Sequence, residues 1–346
     1  METALTASLL EGVPRPLILI SAAERIVQAN AQARAMFGDT ITGRHFVTVL
    51  RQPSLIEAIE RALLEQTQQT ARHFSNDAGR ETMFQVDCAA VAGGGVLLTF
   101  DDITHVREAE QIRRDFVANV SHELRTPLTA LLGFIETLQG PAKNDPAAQE
   151  RFLGIMSREA ARMNRLVQDL LSLSRVETEE RMRPTQQVDV YNTISMTLNA
   201  LTPVAEAAGV KFEMRGARGP IMVQGDPDQL GQVFTNLIEN GIKYGAKGGL
   251  VAVEFTLNER DPRLRGPGVA IRVSDQGEGF DPIHIPRLTE RFYRVDSHRS
   301  REMGGTGLGL AIVKHIVSRH RGRIRIESAV GEGASFIVIL PQHSEG

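Results

Sequence analysis

The stretch VANVSHELRTPLTALLGF, Val117–Phe134, decides how this chain is read. Its apolar residues recur at helical intervals, yet it holds a histidine, then a glutamate, then a proline five residues past the histidine. Extended outward, the stripe runs Ile112, Phe116, Val120, Leu124, Leu128, Leu131, Ile135 and Leu138, in steps of three and four. With ~100° per residue counted from Ile112, the stripe centres near ~90° and His122 falls near ~280°. His122 is therefore expected to face away from the apolar side, into solvent or towards another domain.

Its neighbours suit chemistry. Glu123 is within reach of an imidazole Nδ1–H, which would fix the tautomer and leave Nε2 as the lone pair. An imidazole of ordinary pKa, about 6.5, is mostly neutral at cellular pH, as a nucleophile must be. An adjacent carboxylate also stabilises the cation formed on attack. Thr126 lies ~40° from His122 on the same face and can place a water beside it. Pro127 has no N–H and its ring opposes the Glu123 carbonyl, which predicts a kink.

Beyond a break, GPAKNDP, Asp145 and Pro146 read as the cap and first residue of a second helix. Its stripe is Phe152, Met156, Met163, Leu166, Leu170 and Leu173. Two such helices make an antiparallel hairpin with half a bundle's core. A second copy of the chain would complete four helices, so a homodimer is expected.

The hairpin, at 104–178, separates two zones of different pattern. From 10 to 103, short β-rich runs such as RPLILIS, RIVQAN, TARHFSN, ETMFQVDCAAV and GVLLTFDDI flank helical stretches, which predicts an α+β domain. From 187 to 341, helices are expected at 191–208, 227–244 and 307–320 among six strands. A linker, TEERMRPTQQ, precedes this last zone. Asp226 caps its middle helix, Pro227 takes the first position, and Gln229 can close a capping box.

Bulk properties exclude some classes. The 346 residues are 42% hydrophobic and 23% charged, enough to bury cores. A net charge of -3 gives no basic excess for nucleic acid. One cysteine, Cys88, allows no disulfide within the chain and fits a reducing cytoplasm. No apolar run approaches the ~20 residues of a bilayer span, and no signal peptide is readable, so a soluble chain is expected. The apolar segment Cys88–Phe100 is broken by Gly93, Gly94 and Gly95 and reads as a hairpin.

The last zone holds what a nucleophilic histidine needs. NLIENGIKY sets Asn236, Asn240 and Lys243 on one helical face: amide oxygens for a hard cation such as Mg²⁺ and a point charge for phosphate. DQGEGF ends a strand with Asp275, an acceptor for an amino group, and with Gly277 and Gly279, which let backbone approach a flat ligand. GGTGLGLAIV opens a helix with Gly305, Gly307 and Gly309, offering backbone N–H groups and a helix N-terminus to phosphate. The spacing is not that of a dinucleotide fingerprint, and no P-loop pattern exists.

At these residues the resemblance is to sensor histidine kinases. SHELRTPL resembles their histidine box, and the later clusters resemble the asparagine, first glycine, phenylalanine and second glycine boxes of their ATP-binding domain. The likeness covers about 112–341. It implies a multidomain chain: a helical-hairpin (HisKA) dimerisation domain and an α/β-sandwich (HATPase_c, GHKL or Bergerat) ATP-binding domain. The zone at 10–103, ending in DDIT, resembles a PAS sensor domain, and the whole resembles the phosphate-regulon type of sensor.

Carried across, the resemblance makes His122 the phosphoacceptor from ATP and Mg²⁺, Glu123 its acid–base partner and Thr126 an aid to dephosphorylation of a response regulator receiver domain. Asn240 would be the Mg²⁺ ligand, with Asn236, Lys243 and Tyr244 lining the nucleotide site and Asp275 reading adenine. Phe292 and Arg294 match the anchor of a lid between Asp281 and Gly304. Gly305, Thr306, Gly307, Leu308 and Gly309 match the phosphate loop. Gly241 departs from the pattern, standing where alanine is commoner. Related clamp ATPases carry a general-base glutamate at the position of Asn236, which cannot take a proton from water, so that alternative is disfavoured. A non-catalytic scaffold would not need the intact motif set. No flavin-attachment motif surrounds Cys88, and His45 and His73 have no haem context.

Overall fold

The structure is a computed structural model and describes residues 8–77, 80–179, 182–261, 264, 266–296 and 305–342. It divides into two compact units, 1–118 and 119–346. Among the described residues no helix is long and apolar enough to cross a membrane.

In the first unit, β1 (Leu17–Ile20) and β2 (Ile26–Ala29) precede three helices, α1 (Ala31–Phe37), α2 (Phe46–Val49) and α3 (Pro53–Glu65). Strands β3 (Gln69–Asp77), β4 (Arg80–Val91) and β5 (Gly95–Asp102) follow. All pairings are antiparallel, in the order β2-β1-β5-β4-β3. The glycine run makes the tight turn that pairs Val91 with Gly95. Asn30, fully buried, caps α1: its Oδ1 accepts from Ala33 N–H and Leu17 N–H, each at 3.0 Å. The core closes over Ile18, Ile20, Phe46, Leu55, Val86, Leu98 and Phe100. Cys88 is inside it, and burial pushes its thiol up to about 12, which leaves it inert. His45 is instead at the surface, 2.9 Å from Glu24.

His73 of β3 is buried among the rings of Phe37, Phe84 and Phe100, at 5.3, 6.4 and 5.8 Å. Among the described residues its Nδ1 has no hydrogen-bond partner. Burial lowers its pKa because the cation would lose its hydration. A depressed histidine pKa means the unfolded chain binds the proton first, so stability is lost as pH falls below the ordinary histidine value. The protection of β3 and β4 amides, taken relative to the intrinsic exchange rate at each pH, should therefore fall from about pH 7 to about pH 5, and His73→Phe should flatten that dependence.

The second unit contains the rest of α4 (Thr104–Gln139), which runs through Pro127, and α5 (Pro146–Glu179). Asp145 Oδ1 accepts from Ala148 N–H at 3.0 Å, the cap expected for α5. The helices are antiparallel: Phe134 stacks on Phe152 at 5.3 Å, and eleven residues earlier Glu123 meets Arg162 at 2.9 Å. Leu128, Leu132, Leu153, Val167 and Leu171 are exposed, an apolar surface the single hairpin leaves uncovered.

The remaining elements are β6 (Gln187–Asp189), α6 (Val190–Ala207), β7 (Lys211–Gly216), β8 (Met222–Gln224), α7 (Pro227–Gly245), β9 (Leu250–Asp261), β10 (Gly266–Asp275), α8 (Gly309–Arg319), β11 (Arg323–Ser328) and β12 (Ala334–Pro341). A five-stranded sheet in the order β11-β12-β10-β9-β7 is antiparallel except for the β7–β9 pair. The helices α6, α7 and α8 pack against it, giving the expected α/β sandwich. Helix α8 begins at Gly309, two residues later than expected, because Gly307 has φ +75° and cannot be helical. The capping box of α7 is only half formed. Asp226 Oδ1 accepts from Asp228 and Gln229 N–H, but its own N–H donates to the buried His320 Nε2 at 3.0 Å.

Candidate active site

His122 is exposed on α4, as its phase on the helix requires. Thr126 Oγ1 donates to the His122 carbonyl at 3.2 Å, keeping its lone pairs on the same face. Glu123 has partners that the histidine box alone does not announce. Its Oε2 accepts from Arg162 Nη2 at 2.9 Å and Arg294 Nη2 at 3.3 Å. The two guanidiniums hold the partly buried carboxylate through charge-assisted hydrogen bonds. Pro127 is buried in a small cleft with Arg162, Met163, Leu166 and Thr306.

Arg294 connects this histidine region to a cavity of about 620 Å³ in the α/β sandwich. Helix α7 forms one wall, because Asp228, Gln232, Asn236, Asn240 and Lys243 follow each other at helical intervals on one side. Tyr244 completes it, and Lys243 Nζ pairs with Glu239 at 2.8 Å. Asp275, paired with Ala334 in the sheet, shares the cavity lining with Phe280, Leu288 and Phe336. Its Oδ1 accepts from Gly277 N–H at 2.9 Å. Burial raises the Asp275 pKa, and backbone hydrogen bonds from Gly277 and Ala334 oppose that rise. A Cβ at Gly277 would sit 2.3 Å from the Tyr244 carbonyl, so only glycine admits this approach.

The lining also holds Gly305, Thr306, Gly307 and Gly309, together with Gly279. Gly307 accepts from Phe292 N–H at 2.8 Å, and an added Cβ would meet Phe292 Cα at 2.9 Å. Of the expected site residues, Gly277, Phe292 and Leu308 support the cavity from behind and do not line it. The expected lid falls in part on 297–304, outside the described residues.

Sequence reading missed Asp228, Gln232 and Glu239, although the first two continue the face of Asn236 backwards in steps of four. It also missed Arg165, Gln168 and Asp169, which reach the cavity from α5. Thr306 Oγ1 donates to Asp169 Oδ2 at 2.6 Å, and Ser172 Oγ donates to Gln232 at 2.8 Å. Arg291 pairs with Glu177. Arg319 Nε donates to the Glu179 and Met182 carbonyls at 3.1 and 2.9 Å. No signal in local sequence joins positions so far apart.

The residues present suit ATP and Mg²⁺. The volume is that of a small-molecule site, and its lining mixes apolar side chains with hydrogen-bond donors. Among the described residues, the buried Asn236 Nδ2 on the wall has no hydrogen-bond partner, a donor awaiting an acceptor. No group of three or more His, Cys, Asp or Glu gathers for a metal among the described residues. A cation here would depend on the Asn240 amide oxygen and on phosphates, which is how Mg²⁺ is commonly held.

Fold and cavity together define a nucleotide-binding α/β domain built beside a histidine-bearing helical hairpin. Residues 10–111 match the PAS fold family, 112–179 the His Kinase A (phospho-acceptor) domain, and 225–344 the histidine kinase-, DNA gyrase B-, and HSP90-like ATPase family. The chain is 39% identical over 240 residues to the phosphate regulon sensor protein PhoR of Pseudomonas aeruginosa, covering 69% of this chain and 52% of that protein. It is 36% identical over 327 residues to the sensor protein kinase WalK of Staphylococcus aureus, covering 92% and 52%. A crystal structure of the histidine kinase ThkA in complex with response regulator protein TrrA shares the fold, with a TM-score of 0.55 and 21% identity over 97% of this chain and 98% of that one. The chain belongs to the PAS-containing sensor histidine kinases of two-component systems. It spans about half the length of the curated relatives it matches.

Proposed function

We propose that this chain phosphorylates its own His122 from Mg²⁺-bound ATP and passes the phosphoryl group to an aspartate of a response regulator receiver domain. One observation carries the proposal. Arg294 stands on the wall of the cavity and also reaches Glu123, the residue next to the exposed His122. Bound ATP would supply an activated phosphoryl group, and Mg²⁺ would offset its charge. His122 Nε2 forms the phosphorus–nitrogen bond as the bond to ADP breaks, with Glu123 as its acid–base partner. Asn240 holds the cation, Lys243 and the loop Gly305–Gly309 neutralise phosphate, and Asp275 reads the adenine amino group. Positioning does most of this work, since phosphoryl transfer asks for little covalent help.

Thr126 is assigned to dephosphorylation of the regulator, giving a second, phosphatase activity. A second copy of the chain covers the exposed apolar surface of the hairpin and completes four helices. The domains are assigned as sensor 10–103, dimerisation and phosphotransfer 104–178, and ATP-binding 187–341, working in the cytoplasm. Incubation with γ-labelled ATP and Mg²⁺ should leave acid-labile, base-stable label on the chain. Added receiver domains should then take it off, each at its own rate, and the fastest identifies the partner. Label that never leaves for any receiver domain would end the phosphotransfer reading.

A further inference from the structure

Helix α5 belongs to the hairpin, yet it contributes a charged group to the nucleotide cavity. Asp169 is on the wall and its Oδ2 accepts the Thr306 hydroxyl proton at 2.6 Å. The same hydroxyl oxygen accepts from Leu308 N–H at 3.2 Å. A threonine has a single O–H to donate, and here the chain itself already uses it. Arg165 and Lys243 face Asp169 as cations and Glu239 as a like charge. The carboxylate therefore stands among the donors that the start of α8 and Lys243 hold out to an anion.

Carboxylate and phosphate are both acceptor-only anions, so they cannot share the Thr306 proton, and they repel in a partly buried site. We propose that Asp169 sets the nucleotide affinity of this site by competing with the triphosphate for Thr306. ATP binding and the seating of the ATP-binding domain on the hairpin then oppose each other. By linkage, each weakens the other by the same factor. The inference rests on the ATP reading above. A purely structural role for Asp169, as a brace for the glycine loop, makes the opposite prediction: removing it would loosen the loop and weaken binding.

The test is equilibrium binding of ATP with Mg²⁺ to the full chain, as wild type, Asp169→Asn and Asp169→Ala. Hydrogen exchange of α5 and α8 is followed in each, with and without ATP. Both variants should bind about tenfold tighter, the alanine at least as tightly as the asparagine, which keeps an acceptor oxygen for Thr306. ATP should speed exchange across Leu166–Val176 in the wild type, and both variants should start from that faster level without ATP. The asparagine keeps the shape of the aspartate and protects the test should the alanine fail to fold. Wild-type binding with unchanged or weaker binding by the variants overturns the competition and leaves the kinase reading standing. No binding of ATP by the wild type removes both.

Discussion

His122→Gln should take no acid-labile label from γ-labelled ATP, while binding ATP as the wild type does. The reasoning separates chemistry from binding. Glutamine keeps a polar side chain of similar reach, but its amide nitrogen has no available lone pair and cannot attack phosphorus. His122 is exposed and does not line the cavity, so the change should cost no more than about 0.5 kcal/mol of stability. The label should fall to background, a loss far larger than any effect on affinity. A phosphorus–nitrogen bond is broken by acid because protonation turns the nitrogen into a leaving group, which distinguishes it from serine or threonine esters. Acid-labile label persisting in His122→Gln would move the acceptor to another histidine and sink the reading.

Much of this arrangement could be read from local sequence, and the limits have physical causes. The outward phase of His122 is legible because helical periodicity needs only the neighbouring apolar residues. The caps Asp145 and Asp226 are legible for the same reason, since each bonds N–H groups within three residues. The missing half of the Asp226 capping box is not, because its N–H is taken by His320, 94 residues away. Glu123 shows the same limit. Its guanidinium partners lie 39 and 171 residues along the chain, and no spacing rule within the histidine box points to them. The glycine loop is legible, but the start of its helix at Gly309 is not, because composition does not reveal which glycine takes a positive φ.

The long-range contacts also change how the hairpin is understood. From Asp169 to Glu179, α5 meets the ATP-binding domain through Asp169, Ser172 and Glu177. The helix that follows the His122 helix is thus part of the cavity's surroundings. A change in hairpin packing near Pro127 would reach Thr306 directly, since both border the same cleft.

Asp275→Asn should weaken ATP binding by ~100-fold, the upper range for a buried hydrogen bond to a charged group. Asp275 ends β10, is 9% exposed, and spends one oxygen on Gly277 N–H at 2.9 Å. An amide in its place must turn its NH₂ towards a donor, either that backbone N–H or the adenine amino group. The fold should survive, because Asp275 keeps its strand pairing with Ala334 and Val251 through the backbone. GTP provides the control. Guanine offers a carbonyl where adenine offers an amino group, so the same amide should cost GTP less and shrink the preference for ATP. Equal losses for both nucleotides would mean that Asp275 acts through cavity shape alone. Acidification gives an independent check. Burial raises the Asp275 pKa, so its accepting carboxylate is lost at a higher pH than an ordinary aspartate's. Wild-type ATP affinity should fall as pH drops through that raised value, and Asp275→Asn, with nothing to titrate at this position, should not follow it.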